Sequence, residues 1–407
     1  MNRYLQGLLI VSACLMAAAC GGASKVQRPS ASQLVTYGAF PYPPELKPQV
    51  DFWRHVYGVW GVSKVALHDD KYLDLVYEVI DLPGLVTDDY MESQRQYVRA
   101  RQQVWKDRLA ALEDKVMTGV PLSPSEQNLA SYITARAGTV AGASDRLRSQ
   151  RGLRERFKRG LEISGRYDAL FRDIFRQAGL PEDLAYLPHV ESSFQNHAHS
   201  SAGAVGVWQF TKPAARIYLN MGPALDERRD PVASARGAAR YLRDAHDDLN
   251  NWALAVTSYN HGVGGMKRAQ QYYGNDFGKI VRYYNHPNFG FASRNFYTEF
   301  LAAREVAKNP RRYFPEGVRY EAPLNWDRVV LQQPASASSI AQQFGLTTYH
   351  LTALNSAWTD AARSDQAILP PGAEVWLPPG TLARNKAVID LNGNTLVMVP
   401  RPVPAQP

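Results

Sequence analysis

The sequence predicts a mainly α-helical protein. A helical domain is preceded by a hairpin with further helices and followed by a small β-α-α-β module. Three observations predict this. Leu170, Phe171, Ile174, Phe175 and Ala178 fall on one helical face. Trp252 to Tyr259 is apolar nearly all round, the mark of a helix buried on every side. Beyond Pro323, β-rich triplets flank two short helical stretches.

In chain order, residues 21–50 are rich in Ser, Pro, Gln and Gly, including Pro41, Pro43, Pro44 and Pro48. They read as a tether. Val59 to Leu67 and Leu73 to Ile80 are β-rich runs around His68-Asp69-Asp70-Lys71, the pattern of a hairpin. Residues 88–178 turn helical, with a long Pro-free helix over Arg95 to Val116 and the wet face of another over Arg146 to Arg159. Gly179 stands where a C-cap belongs, and Pro181 with Glu182 and Asp183 opens the next helix.

Asp230-Pro231 is an N-cap followed by proline at the first helical position, ahead of Ala235, Ala238, Ala239, Leu242, Ala245 and Leu249. Phe296, Phe300, Ala303 and Ala307 predict a helix over about 294–307. Val329-Val330-Leu331 and Val375-Trp376-Leu377 are strands, enclosing helices at Ser338 to Phe344 and Thr347 to Leu354. Asn392-Gly393 marks a last hairpin. The expected boundaries are 1–19 (signal peptide), 20–50 (tether), 51–160 (hairpin and helical region), 161–322 (helical domain), 323–380 (β-α-α-β module) and 381–407 (C-terminal hairpin and tail).

The 407 residues are 45% hydrophobic and 21% charged, which excludes large-scale disorder, and the net charge of +8 suits an acidic polymer without choosing one. Arg3 followed by the apolar run Leu5 to Met16 has signal-peptide length, too short to span a bilayer. Ala17-Ala18-Ala19 before Cys20 and Gly21-Gly22 resembles a bacterial lipobox, which implies acylation of Cys20 and a membrane anchor. Cys14 and Cys20 are the only cysteines, and cleavage removes Cys14. The mature chain is therefore expected to have no disulfide, thiolate metal site or catalytic thiol.

Three stretches place polar residues where apolar packing is expected. In Leu187-Pro188-His189-Val190-Glu191-Ser192-Ser193-Phe194, a carboxyl follows an apolar helix. Partial burial there raises its pKa and suits Glu191 to general-acid work, whereas at an open helix end it is a surface residue. In Gly203-Ala204-Val205-Gly206-Val207-Trp208-Gln209-Phe210, glycines permit close backbone approach, while Trp208 and Gln209 offer a pyranose a stacking face and an amide; the same residues also suit a buried turn. In Ala255-Val256-Thr257-Ser258-Tyr259-Asn260-His261-Gly262, a phenol and an amide stand at the end of a buried helix, where polar groups need partners.

In this order and spacing, the three stretches resemble the family 1 lytic transglycosylases, the lysozyme-like group that includes goose-type lysozyme. The resemblance covers about 165–305, and the wider arrangement looks most like the membrane-bound lytic murein transglycosylase D subfamily. It implies a lysozyme-like helical fold, peptidoglycan glycan strands as substrate and Glu191 as the catalytic carboxyl. The implied reaction cleaves the MurNAc–GlcNAc bond without water, cofactor or metal, and leaves a 1,6-anhydro end. Ser192, Gly206, Gln209, Tyr259 and Asn260 map onto groove positions, and Trp208 stands where the family often has Met. The family's tyrosine beside the catalytic Glu on the last helix maps strictly onto Phe296; Tyr297, next to it, is expected to serve. The 327–379 unit resembles a LysM module, with Leu354-Asn355 in place and Pro334-Ala335-Ser336 replacing the usual Gly-Asp-Thr. Gly21 after the anchored cysteine implies the outer membrane, facing the periplasm. A monomer is expected.

Other readings remain open. A hydrolytic muramidase of the same fold needs a second carboxylate, for which Asp226 and Asp230 are candidates, although Asp230 is explained as an N-cap and Asp226 as a loop residue. A non-catalytic wall-binding lipoprotein needs only the groove. His189, His197, His199, His246 and His261 lack metal-ligand spacing and are expected to be solvated. Nucleic acid is not an expected partner of an exported chain.

Overall fold

The computed structural model describes residues 38–384. The expected signal peptide, Cys20 and the Asn392-Gly393 hairpin lie outside the described residues. The fold is mostly helical, as the sequence predicts.

The folded body begins earlier than composition suggests. Phe40, Tyr42, Leu46 and Val50 are buried, so residues 40–50 are not tether. Pro44 opens a 3-10 turn (Pro44–Leu46) and Pro48 lies in the first turn of α1 (Lys47–Gly58). A missing N–H costs nothing there, so these prolines start helices rather than forbid them.

Next come β1 (Lys64–Asp69) and β2 (Val76–Asp81), the antiparallel hairpin the sequence predicts. Helices α2 (Glu92–Thr118) and α3 (Pro124–Ala137) follow, each ended by a left-handed glycine, Gly119 and Gly138. They pack with Leu75 around Leu109, Leu112 and Ile133. The Arg146–Arg159 run corrects an expectation. Leu147–Arg151 forms β3, paired with β1 in the sheet order β2-β1-β3. Arg151 is buried, its guanidinium donating to the carbonyls of Val62, Asp88 and Thr87. Those bonds satisfy a charge that sequence pattern assigned to solvent.

The main core is built by α4 (Arg154–Ser164), α5 (Asp168–Gln177), α6 (Leu187–Glu191), α7 (Lys212–Tyr218), α8 (Pro231–Leu249), α9 (Trp252–His261), α10 (Val263–Tyr273), α11 (Phe277–Tyr283) and α12 (Phe291–Lys308). The periodic face of α5 buries Phe171 and Phe175 completely, worth about 1.5–3 kcal/mol each by burial alone. Between Pro181 and α6 the chain forms a 3-10 turn, Glu182–Tyr186, where an α-helix was expected. Asp230 caps α8 as predicted, accepting from the backbone N–H groups of Val232 and Ala233 at 2.8 Å each. Helix α12 packs against α1, α6 and α9 together.

After the short α13 (Pro310–Tyr313), the C-terminal unit runs β4 (Asp327–Val330), α14 (Ala337–Gln343), α15 (Thr348–Leu354), α16 (Asp360–Arg363), β5 (Glu374–Leu377) and α17 (Thr381–Arg384). Strands β4 and β5 pair antiparallel. Asn355 clips α15 to β5: its amide donates to the Trp376 carbonyl at 2.9 Å and its oxygen accepts from the Trp376 N–H at 2.8 Å. The unit has its own core around Val329, Ile340, Leu351 and Trp358, and Ala224 and Leu225 of the helical domain complete it. The Trp376 indole N–H donates to Asp230 at 2.6 Å, joining the two units through the cap of α8.

Candidate active site

Glu191 is the last residue of α6, and the chain reverses directly behind it. Ser193 and Phe194 both take left-handed backbone angles (φ 51° and 59°), uncommon for residues with a Cβ. The reversal is held by the N–H groups of Ser192 and Phe194, which donate to the Pro188 carbonyl at 3.1 and 3.2 Å. It is also held by the buried Phe194 ring, set edge-on to His189 at 4.6 Å. Strain of this kind persists only where the surroundings over-determine it. Its effect is to present Glu191 at the helix end instead of continuing the helix past it.

The glycine-containing loop is stitched beneath that end. The Ser192 hydroxyl donates to the Val207 carbonyl at 2.8 Å. The Gln209 amide donates to the carbonyls of Ala198 (3.1 Å) and Gly206 (2.8 Å). Gly206 has φ 83°, and a Cβ there would lie 2.0 Å from the Arg228 carbonyl oxygen. Close approach to the protein's own backbone thus requires this glycine. Trp208 corrects the sequence reading: its ring is fully buried against Phe171 and Phe175, so it fills the core and offers no stacking face.

Helix α9 brings up the third stretch. The Tyr259 hydroxyl donates to the Trp208 carbonyl at 2.9 Å, and the ring lies edge-on to Tyr241 at 5.2 Å. Asn260 is exposed, and its side-chain oxygen accepts from the Ser293 hydroxyl of α12 at 2.8 Å. The structure therefore brings Ser192, Gly206, Gln209 and Tyr259 together around the α6 end that carries Glu191, while Asn260, next to Tyr259 in α9, bonds to α12.

Glu191 keeps partial contact with solvent yet is enclosed by protein on most sides. Burial, and secondly the negative field of Glu299, push its pKa up to about 8. Burial, with the Glu191 charge adding to it, holds the Tyr259 phenol well above its ordinary range. A carboxyl still protonated at neutral pH and facing open space can donate its proton to a ligand atom.

Tyr297 does not join this group. It is buried, its hydroxyl donates to the Pro41 carbonyl at 2.9 Å, and its ring lies edge-on to Phe277 at 5.2 Å. One position is about 100° of helix, which turns Tyr297 away from Phe296 and toward Pro41. Two residues that sequence reasoning missed stand near Glu191 instead. Glu299 of α12 is pushed up to about 8 by burial, and the Tyr57 phenol of α1 hydrogen-bonds to it. The available signal was a carboxyl between Phe296 and Ala303 on an otherwise apolar stripe.

The other acidic candidates are occupied. Asp226 pairs with the Arg228 guanidinium at 2.9 and 2.8 Å, and these contacts hold it below the usual carboxylate range despite burial. His189 is not solvated as expected: it is buried and stacked on Phe157 at 4.8 Å, and burial pushes its pKa down to about 3.

Residues 172–280 match the family model described as the Transglycosylase SLT domain. The matched span contains Glu191 and the residues assembled around it, but neither Tyr57 nor Glu299. The membrane-bound lytic murein transglycosylase D of Escherichia coli (strain K12) is 30% identical over 186 residues, which is 44% of this chain and 40% of that protein. Membrane-bound lytic murein transglycosylase F 2 of Alkalilimnicola ehrlichii is 33% identical over 114 residues, 26% of this chain and 24% of that protein. The chain therefore spans less than half the length of these curated relatives. Among solved structures, an inactive mutant of the lytic transglycosylase Slt from Pseudomonas aeruginosa aligns with a TM-score of 0.30 and 20% identity, over 36% of this chain and 24% of that one.

Proposed function

We propose that this protein is a peptidoglycan lytic transglycosylase with Glu191 as its proton-shuttling carboxyl. Glu191 gives its proton to the glycosidic oxygen between MurNAc and GlcNAc, and the C1–O bond breaks. The muramic 2-acetamido group supports the cation at C1. The Glu191 carboxylate then takes the proton of the C6 hydroxyl, whose oxygen closes on C1. Glu191 ends as it began, no water is consumed, and the product is a 1,6-anhydro end. One carboxyl suffices, as in the substrate-assisted exceptions to paired-carboxylate hydrolysis.

The observation that carries this reading is the raised pKa of Glu191 at a strained helix end beside Tyr259. The family match over 172–280 and the printed names of the relatives support it. In this reading Ser192, Gly206 and Gln209 set the floor of the glycan groove from behind, and Asn260 faces the sugars. The C-terminal unit is LysM-like and docks on the catalytic domain, a proposal that rests on its two antiparallel strands enclosing short helices. The chain is held by acylated Cys20 at the outer membrane, facing the periplasm. Among the described residues no helix is long and apolar enough to cross a membrane.

Glu299 favours one second reading, a muramidase in which that carboxyl directs water onto C1. Digestion of purified sacculi with the full chain, followed by mass spectrometry, separates the two. Muropeptides lighter by one water than their hydrolysed counterparts are expected. Hydrolysed ends alone would favour the muramidase, and intact sacculi would remove both readings.

A further inference from the structure

Glu191 and Glu299 are half-buried carboxyls on two helices that pack together, near enough for the charge of Glu299 to act on Glu191. Glu299 lies on α12, which packs on α6, on the same side of the helix as Phe296 and Ala303. Tyr57, near the end of α1, is buried and hydrogen-bonds to Glu299. The Tyr57 ring is fixed by stacking on Phe157 at 5.1 Å, and Phe157 stacks in turn on His189 of α6. Tyr57, Glu299, Glu191 and Tyr259 thus form one cluster where α1, α12, α6 and α9 meet.

The half-buried cations of the surrounding elements are committed elsewhere. On α1, Arg54 pairs with Asp51 and Glu305. On α4, Arg154 and Lys158 pair with Glu316, and the more exposed Arg159 with Glu162 and Glu321. Beside the 3-10 turn before α6, Asp183 takes Arg172, Arg304 and Lys308, and Glu182 takes Arg176. On α12, Arg294 pairs with Asp70; on α13, the Tyr313 hydroxyl donates to Glu305. On α9, His261 turns toward Phe289 and Tyr284. Two carboxyls held close, with no ion pair to either among the described residues, cannot both ionise cheaply, so their protons come off in linked steps.

We propose that Glu299, held by Tyr57, is a positioning residue that decides where the last shared proton rests, and that it rests on Glu191. The Tyr57 phenol stabilises the carboxylate form of Glu299, so Glu299 ionises first. Its charge then holds the remaining proton on Glu191, on the side open to solvent. Glu299 itself needs no contact with glycan. The inference builds on the role given to Glu191 above, but the pair can be observed without any turnover.

The test uses the full chain, with Glu carboxyls labelled with carbon-13 and assigned through Glu191→Gln. Carboxyl titrations by NMR are compared for wild type, Glu299→Gln and Tyr57→Phe, alongside the pH profile of sacculus digestion. In both variants the Glu191 titration, and the alkaline limb of activity with it, is expected to move to lower pH by about one unit, ~10-fold in proton concentration. Lower turnover in a folded variant with an unmoved Glu191 titration would overturn the proposal, because a merely structural residue changes rate without moving the limb. Wild-type Glu191 titrating in the ordinary carboxylate range would also overturn it. A shifted titration in a protein that never cleaves glycan would uphold the pair and remove the proposed function. Tyr57→Phe keeps the ring and its stack on Phe157, so it remains informative if Glu299→Gln folds poorly.

Discussion

The Tyr259 hydroxyl donates to the Trp208 carbonyl at 2.9 Å, tying the end of α9 to a loop 51 residues earlier in the chain. The phenol is thereby fixed beside Glu191, and the Trp208 carbonyl is satisfied next to a fully buried indole. Tyr259→Phe keeps the ring and loses the bond. It is expected to cost about 1 kcal/mol of stability, as for a typical intramolecular hydrogen bond. Turnover on sacculi should fall about tenfold, since a displacement near 1 Å at a reacting group can cost more than that. Thermal melts and a turbidity assay on the same preparation check both.

Glu191→Gln removes the proton donor and keeps the shape. Turnover on purified sacculi is expected to fall by at least the ~10²–10⁴-fold ascribed to general acid–base catalysis, with an unchanged circular dichroism spectrum. A folded variant working near the wild-type rate would exclude Glu191 as the shuttle.

The same substitution has a stability signature with a definite sign. The folded pKa of Glu191 is about 8 against 4.5 for the free side chain. Between those values the folded state holds the proton and the unfolded state has lost it, so wild-type stability falls as pH rises through the window. A glutamine carries no such penalty. The variant should match wild type near pH 4 and exceed it increasingly up to about pH 8, by about 2 kcal/mol once partial exposure is discounted. Melting temperatures across that range are the measurement. A constant difference would mean that Glu191 is not held protonated by the fold.

Gly206→Ala tests the loop floor. The added Cβ would lie 2.0 Å from the Arg228 carbonyl oxygen, and φ 83° disfavours alanine before any clash is counted. Together these are expected to cost about 2–4 kcal/mol and to loosen the Ser192 bond to Val207. Chemical denaturation measures the cost. A variant as stable as wild type would show that the loop does not need this approach.

Sequence alone was informative wherever one local rule acted without opposition. The Asp230-Pro231 cap, the all-round apolar helix α9, the first hairpin, and the two strands and first two helices of the C-terminal unit were readable, but α16 was not. It failed where distant partners decided the outcome. The Arg146–Arg159 run contains β3, because β1 supplies a strand edge and backbone carbonyls take up Arg151. Residues 40–50 pack because Phe40 and Tyr42 find α12 and its neighbours, which proline content cannot show. Within the candidate site, Glu191, Tyr259 and Asn260 were singled out through their order along the chain. Trp208 and Tyr297 were misread because an aromatic's face depends on packing that spacing does not reveal. Glu299 escaped because its meaning lies in Tyr57, 242 positions away in the chain.

Helix α12 packs on α6 and α1 packs on α12, and neither of these two helices falls inside 172–280. A recombinant fragment cut to that interval would therefore omit the roof over the carboxyl along with the phenol that steadies it. Such a piece would expose the Phe157-facing side of α6 to water and would be a poor stand-in for the whole chain in screening or crystallisation. Useful boundaries begin no later than Phe40 and run at least through the end of α12.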